Sequence, residues 1–306
     1  MEQVTYVLGA GSLGLLYAAK LARTGKTVTL LVKPSQMSAL NLGITLREGE
    51  AALAKRIFVR VRCEPQDGLV IDQLLLATKA GQAAKALKTW QSCLSEKAEI
   101  LVLQNGLGSQ AEVADLLTAK QTLLAASVTE GAYLEKAGAV VHAGKGKTQL
   151  GRWCGPAQDA PARWASRLTT AGLTAEVTDP IRPVLWHKLA INAVINPLTA
   201  IHQVENGALA SREFKPKVEA LCNELLQLFK RLGIAEPENG LIYRLEQVIL
   251  STAANRSSML QDLSSGKKTE IDYITGTVLK AAKALKLNLS AHQALYKAVK
   301  EAEQSV

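Results

Sequence analysis

Apolar positions along the first 180 residues fall into short β-forming runs separated by stretches with helical spacing. "VTYVLGA" breaks into "GAGSLG", and "LLYAAKLARTG" then repeats apolar residues at helical intervals until Gly25, a residue able to take positive φ, ends the helix. "KTVTLLVK" follows as a second strand. Strand, tight turn, helix and strand make a βαβ unit, whose crossover requires parallel strands. The alternation continues through "DQLLLAT", "GQAAKALKTWQSCL", "AEILVLQ" and "GSQAEVADLLTA". After further strands and turns in "TLLAASVTEGAYLEKAGAVVHAGKGKTQLG", it closes with the helix "DAPARWASRLTTAG" and the strand "LTAEVTD". The pattern predicts a doubly wound α/β domain of the Rossmann type.

From about Asp179 the β-formers thin out and helical patterns take over, with Pro180 and Pro183 at the change. The boundary predicted here divides an α/β Rossmann-type domain, residues 1–180, from an all-helical domain, residues 181–306. Helices are expected over 184–200, 211–232, 237–263, 267–286 and 290–303, with Gly233 and Gly266 as breaks.

Composition narrows the function classes. With 306 residues and 48% hydrophobic content the chain can build two cores. No segment reaches the ~18 uninterrupted apolar residues of a membrane span, and the N-terminus enters a strand without a basic leader, so a cytoplasmic protein with no membrane partner is expected. The net charge of +9 is dispersed and aromatics are only 4%, which leaves no stacking platform or basic helix for nucleic acid. A solvated basic surface that attracts small anions fits better. Cys63, Cys93, Cys154 and Cys222 lie far apart and match no zinc spacing, so reduced structural thiols and no metal are expected.

Gly9, Gly11 and Gly14 form G-x-G-x-x-G between a strand and a helix. In that setting the first glycine makes the turn, the second lets the backbone approach a pyrophosphate, and the third allows close helix–strand packing. The stretch Gly9, Ala10, Gly11, Ser12, Leu13 and Gly14 is therefore read as the phosphate-binding turn of a dinucleotide site. NAD proteins place an acid at the end of the second strand to bind the ribose diol. This chain has Lys33 there, which would pair with a 2′-phosphate and favours NADPH/NADP+. Lys79, ending another strand, and Asn105, in "LVLQNGLG", are expected at the same carboxyl edge facing the cofactor.

One helical segment, "HKLAINAVINPLTAIH" at 187–202, is apolar nearly all round, as a buried helix is. Yet Lys188, Asn192 and Asn196 recur at steps of four, drifting only about 40° per step, and so share one face. Unpartnered, each buried polar group costs about 1–3 kcal/mol, so the stripe must meet other polar groups, water or a ligand. A structural network between helices and a ligand site both satisfy that need. A second cluster, "SSMLQDLSSGKKTEIDYITG", carries Ser257, Ser258, Asp262, Glu270 and Asp272, with Glu270 expected early in a helix where its dipole favours a carboxylate.

Taken together, "WHKLAINAVINPLTAI", "SSMLQDLSSGKKTEIDYITG", "GAGSLG" and "LQNGLG" closely resemble the ketopantoate reductase (2-dehydropantoate 2-reductase) family, over essentially the whole chain and in order. The resemblance implies an NADPH-dependent enzyme of pantothenate synthesis, with an active site in the cleft between a Rossmann domain and a helical domain. It implies Lys188 as general acid and Glu270 as the carboxylate that works with it and lies by the cofactor. Asn105 resembles the residue near the nicotinamide and the reacting carbonyl. Asn192, Asn196 and Ser258 resemble the substrate-binding set, and Lys33 and Lys79 the basic positions for the adenosine phosphate end. Where some relatives have arginine, this chain has Lys33, a point charge rather than a fork, which predicts a less strict NADP preference.

The partner expected is a small 2-oxo acid, and the sequence allows a monomer or a homodimer. Two alternatives stand beside this reading. One is an NADPH-dependent reductase of a different 2-oxo acid or a related hydroxyacid dehydrogenase. The other is a non-catalytic NADPH-binding sensor, which would need the glycine turn but no proton donor.

Overall fold

Residues 4–49 and 51–304 are described by the structure, a computed structural model, and they fall into two compact units. The first unit takes 4–104 and 109–182; the second takes Asn105–Gly108 and 183–304.

In the first unit, β1 (Thr5–Leu8), α1 (Ser12–Ala22) and β2 (Val28–Leu31) form the βαβ unit read from the sequence. β5 (Arg60–Arg62) lies outside β2, and β6 (Ile71–Leu76), β7 (Leu94–Val102) and β8 (Thr122–Val128) extend the sheet on the other side of β1. These six strands are parallel. Parallel strands are buried on both faces, which is why "LLL" and "ILV" runs replace polar–apolar alternation. β11 (Thr148–Cys154) joins β8 antiparallel, and β12 (Ala175–Val177) closes the order β5-β2-β1-β6-β7-β8-β11-β12. α3 (Ala83–Trp90), α4 (Ser109–Ala114) and α5 (Ala160–Thr170) follow β6, β7 and β11 in the chain.

A second sheet was not foreseen. β3 (Ile44–Glu48), which follows the short α2 (Met37–Leu40), pairs with β4 (Lys55–Ile57) on one side and with β10 (Ala139–Gly144) on the other, and β9 (Gly131–Lys136) completes the order β4-β3-β10-β9. Leu15, Leu16, Tyr17, Ala18, Ala19 and Leu21 of α1 share one core with Val7, Leu30 and Leu75 of the large sheet and with Ile44, Leu46 and Val140 of the small one. α1 is thus covered on two sides. Buried Lys20 of this helix is offset by an ion pair with Glu48 of β3, whose carboxyl is held down to about 2, first by that hydrogen bond.

In the second unit, α6 (Ile181–His202) begins at the last residues of the first unit and carries the polar stripe. α7 (Lys215–Leu232) ends at Gly233 with φ 68°, the left-handed cap expected of glycine. The helix expected over 237–263 is two: α8 (Leu241–Ser251) and α9 (Ser258–Ser264). The cause is competition for backbone groups. The Ala253 and Asn255 carbonyls accept from the Gly207 and Asn206 N–H groups at 2.9 and 3.0 Å, and the Ser257 hydroxyl caps α9 by accepting from Leu260 N at 3.1 Å.

The helix expected over 267–286 is likewise interrupted. A 3-10 turn at Ile271–Tyr273 precedes α10 (Thr275–Ala284), and Ile274 between them is non-helical at φ −104°, ψ −89°. Glu270 therefore stands before a short turn and not in the first turn of a helix, which removes the helix-dipole reason for its position. α11 (Ser290–Gln304) ends the fold.

The β1–α1 turn yields a paired test. A Cβ on Gly14 would lie well inside contact distance of the Gly9 carbonyl oxygen, a backbone atom that cannot yield cheaply, whereas one on Gly11 would meet only the Ala77 carbonyl oxygen at 3.8 Å. Gly14→Ala should lower unfolding free energy by about 1–3 kcal/mol or more, and Gly11→Ala by less than about 1 kcal/mol. Urea unfolding of the two variants checks the contrast, and equal loss in both would contradict it.

Candidate active site

Asn105 to Gly108 leave the end of β7 yet are built into the helical unit. Leu107 N donates to the Tyr273 carbonyl oxygen at 2.9 Å, and the Thr277 hydroxyl donates to the Leu107 carbonyl oxygen at 2.6 Å. Gly106, at φ 82°, lies so close to the Tyr273 carbonyl that a Cβ would clash with it. The turn that grips this segment is also the one that fixes Glu270, whose carbonyl oxygen accepts from Tyr273 N and Ile274 N, both at 3.0 Å.

Asn105 is thereby held against α6. Lys188 Nζ donates to Asn105 Oδ1 at 2.8 Å. The Lys188 side chain keeps some solvent exposure, but its ammonium end is densely surrounded by protein, and the resulting desolvation pulls its pKa from 10.5 down to about 8. The charge of Glu270 opposes that fall.

Asn192 and Asn196 continue the same face of α6, Asn192 half-buried and Asn196 only 8% exposed. Neither amide makes a protein hydrogen bond among the described residues. A structural network between helices would have paired them. Two such amides on the same helix face as a desolvated ammonium instead leave hydrogen-bonding capacity to spare.

The structure thus brings Lys188, Asn105 and Glu270 together and aligns Asn192 and Asn196 with them along the helix. Ser258 differs: it is exposed at the start of α9, and no hydrogen bond joins it to Lys188, Asn192 or Asn196. Its neighbour Ser257 is buried and bonded to Thr199 of α6 at 2.7 Å. Asp272 is engaged by Tyr296 at 2.5 Å and Lys300 at 3.3 Å, a tie between the turn and α11. Tyr273, Thr277 and Gly106 were missed as positioning groups, because their contacts span more than 160 residues of chain and only "NGLG" hints at a special backbone.

In the first unit the glycine turn fits a dinucleotide. Gly9 adopts φ 110°, and a Cβ there would meet Ala77 and Thr78 at 3.0 Å. Exposed Gly11 caps α1 without a side-chain bond, and the first turn of α1 carries no acidic residue. The uncapped N–H groups and the helix dipole are therefore open to an anion. Ala10 is buried, while Ser12 and Leu13 are half-buried beside it. Lys33, exposed, lies two residues beyond β2, and half-buried Lys79 three residues beyond β6. All four cysteines are free thiols, and among the described residues no group of three or more histidines, cysteines, aspartates or glutamates could hold a metal ion. Among the described residues no helix is long and apolar enough to cross a membrane.

A parallel sheet with an open glycine turn, joined to a helical unit holding a desolvated lysine among amides, defines a nicotinamide-dependent oxidoreductase. Comparison with known proteins places it more closely. The model of the ketopantoate reductase family (PanE/ApbA) matches residues 5–155, and that of the family's C-terminal domain matches 180–303. The 2-dehydropantoate 2-reductase of Vibrio cholerae is 35% identical over 301 residues, 98% of this chain and 97% of that protein. The chain belongs to the ketopantoate reductase family, and it is an enzyme with an NAD(P)H-binding domain.

Two solved structures agree in fold. A PanE/ApbA family ketopantoate reductase from Ralstonia eutropha superposes with a TM-score of 0.90 at 26% identity, covering 99% of both chains. D-mandelate dehydrogenase with NADH and anilino(oxo)acetate gives a TM-score of 0.91 at 23% identity, again over 99% of each, a likeness of fold alone.

The depressed pKa of Lys188 has a measurable consequence without any ligand. Its folded value of about 8 lies below the unfolded 10.5, so the cost of burying the charge is fully present below pH 8 and is relieved as pH rises towards 10.5. Lys188→Met should be more stable than the parent at pH 7 by about 1–3 kcal/mol, with the gap closing by about pH 10. Urea unfolding at both pH values measures it. A gap independent of pH would place the ammonium in solvent.

Proposed function

We propose that the protein reduces 2-dehydropantoate to pantoate with NADPH, residues 1–180 binding the cofactor and 181–306, joined by Asn105, the substrate. The observation that carries this reading is Lys188, a lysine with its pKa lowered to about 8, bonded to Asn105 and followed along one face by two amides with no hydrogen-bond partner among the described residues. A cofactor-binding sensor would have no use for a tuned proton donor on that face.

Bound NADPH supplies the hydride that reduces the C2 carbonyl of the substrate. Lys188 donates a proton to the carbonyl oxygen as negative charge develops there, so hydride and proton together convert the ketone to the alcohol. Asn105 accepts from Lys188 and so fixes its direction, leaving the Asn105 amide N–H groups for the substrate. Glu270 opposes the desolvation and so favours the protonated form of Lys188. Asn192 and Asn196 bind the carboxylate and hydroxyl ends of the substrate, and Ser258, exposed at the start of α9, joins them on binding. The Gly9–Gly14 turn takes the pyrophosphate, Gly11 through its exposed backbone, while Lys33 and Lys79 hold the adenosine phosphate end.

Purified protein should consume NADPH absorbance in the presence of 2-dehydropantoate, and faster than with a panel of other 2-oxo acids including aryl ones. Preference for another acid would retain the reaction and replace the substrate. For the preferred acid, kcat/KM for reduction should fall as pH rises through about 8, because the proton donor is lost. Lys188→Ala should lower kcat by about 10²–10⁴-fold while NADPH affinity stays near that of the parent. Near-normal turnover in that variant would remove Lys188 from the chemistry.

NADPH should bind more tightly than NADH. Replacing Lys33 by aspartate should cost the 2′-phosphate contact, worth roughly 1.5–3 kcal/mol, and so narrow or invert the preference. Fluorescence titration with both cofactors tests this, and equal or tighter NADH binding by the parent protein would overturn it.

A further inference from the structure

The strand beyond β2 ends in an arginine that the sequence reading passed over. β2 and β5 pair in parallel with Leu31 opposite Arg62, and the pairing finishes where Val32 N donates to the Arg62 carbonyl oxygen at 2.9 Å. Arg62 is therefore two residues short of the level of Lys33, on the adjacent strand and at the same carboxyl edge.

Side-chain alternation puts the two on one face. Val28 and Leu30 of β2 and Val32 just beyond it belong to the core that includes α1, and Val61 of β5 packs against that core, whereas Leu31, though fully buried, does not belong to it. Arg62, in register with Leu31, and Lys33, two residues beyond Leu31 in extended backbone (φ −73°, ψ 150°), point to the opposite face. Tyr6 of β1 independently marks that face. It lies in register with Thr29 and Arg60, and the positive charges of Arg62 and Arg60 act on its hydroxyl.

Arg62 also has its charge to spare. It is half-buried, its guanidinium donates to the neutral amide of Gln66, and among the described residues it forms no salt bridge. Lys33 is exposed, with its backbone N–H held by Gln36 Oε1 at 3.2 Å. A lysine offers one point charge to a phosphate, while a guanidinium offers a planar fork matched to two phosphate oxygens.

We propose that Arg62 is a second cofactor-specificity residue, its guanidinium binding the 2′-phosphate of NADP(H) beside Lys33 and supplying the fork that Lys33 lacks. This rests on the reading of the strand edge as a 2′-phosphate site. It counters the sequence-based expectation that lysine in place of arginine relaxes the preference. Gln66 is the resting partner of the guanidinium and is exchanged for phosphate on binding.

The test compares NADPH, NADH, 2′,5′-ADP and 5′-AMP by titration against the parent protein, Arg62→Ala, Arg62→Lys and Lys33→Ala. In Arg62→Ala the Kd for NADPH and for 2′,5′-ADP should rise about ten-fold, equivalent to 1.4 kcal/mol, with NADH and 5′-AMP unchanged. Arg62→Lys should fall between, since charge is kept and the fork lost. Thermal melting near that of the parent is expected for all three variants, because neither side chain is in the core.

The outcomes separate the two levels of inference. Parent protein that binds 2′,5′-ADP no better than 5′-AMP would overturn the 2′-phosphate reading itself. A parent preference that Lys33→Ala reduces and Arg62→Ala leaves intact would overturn the role of Arg62 alone. Equal weakening of all four ligands in Arg62→Ala would also overturn it, by showing an effect on the adenosine pocket in general.

Discussion

The ammonium of Lys188 draws its partners from stretches of chain outside its own helix. A charge so enclosed is costly unless its surroundings offer hydrogen bonds and opposite charge. The fold provides one of each, the Asn105 amide oxygen at 2.8 Å and the carboxylate of Glu270. Neither comes from α6. Asn105 arrives on a segment that follows a strand of the sheet, and Glu270 on a turn that breaks a helix. Both are tied in through the backbone pairing of Leu107 to Tyr273, reinforced by Thr277 and made possible by the missing side chain of Gly106.

That arrangement explains which features were legible in the sequence and where legibility stopped. The spacing of Lys188, Asn192 and Asn196 is a local property of one helix, so the sequence displays it directly. The glycine turn is equally local. By contrast, the interruptions at 252–257 and at Ile274 arise because distant segments, 206–207 and 107, take carbonyl oxygens a continuous helix would have used. Ser258 and Ser257 show the same limit at finer scale, since two adjacent serines look alike in sequence and only the start of α9 decides that Ser257 caps the helix and meets Thr199 while Ser258 faces out.

The small sheet makes the point for the first unit. An α-helix against one sheet needs one apolar face, yet residues 14–21 of α1 are all buried. That excess of buried surface was visible in "LGLLYAAKLA", and its structural meaning is a second cover. Alternation in "ITLRE" and the pair "VV" of β10 supply the cover, but they lie almost a hundred residues apart, and their parallel pairing leaves no local turn to reveal it. Lys20 and Glu48 are the polar counterpart, a buried lysine from the helix answered by a carboxylate from the cover.

Burial gives Lys188 its low pKa and also its leverage. In a desolvated setting a fixed positive charge interacts with developing negative charge more strongly than it would in water. Desolvation alone would carry the pKa lower still, and a neutral amine cannot act as an acid. Glu270 opposes that fall, and the balance leaves the group near 8, protonated at neutral pH yet willing to give its proton up. A fully solvated lysine would hold its proton some two pH units more tightly, at about 10.4, and a more deeply buried one would have none to give. On the proposed function, the amides of Asn192 and Asn196, which make no hydrogen bond among the described residues, would take the substrate while Lys188, already aligned by Asn105, would give the proton.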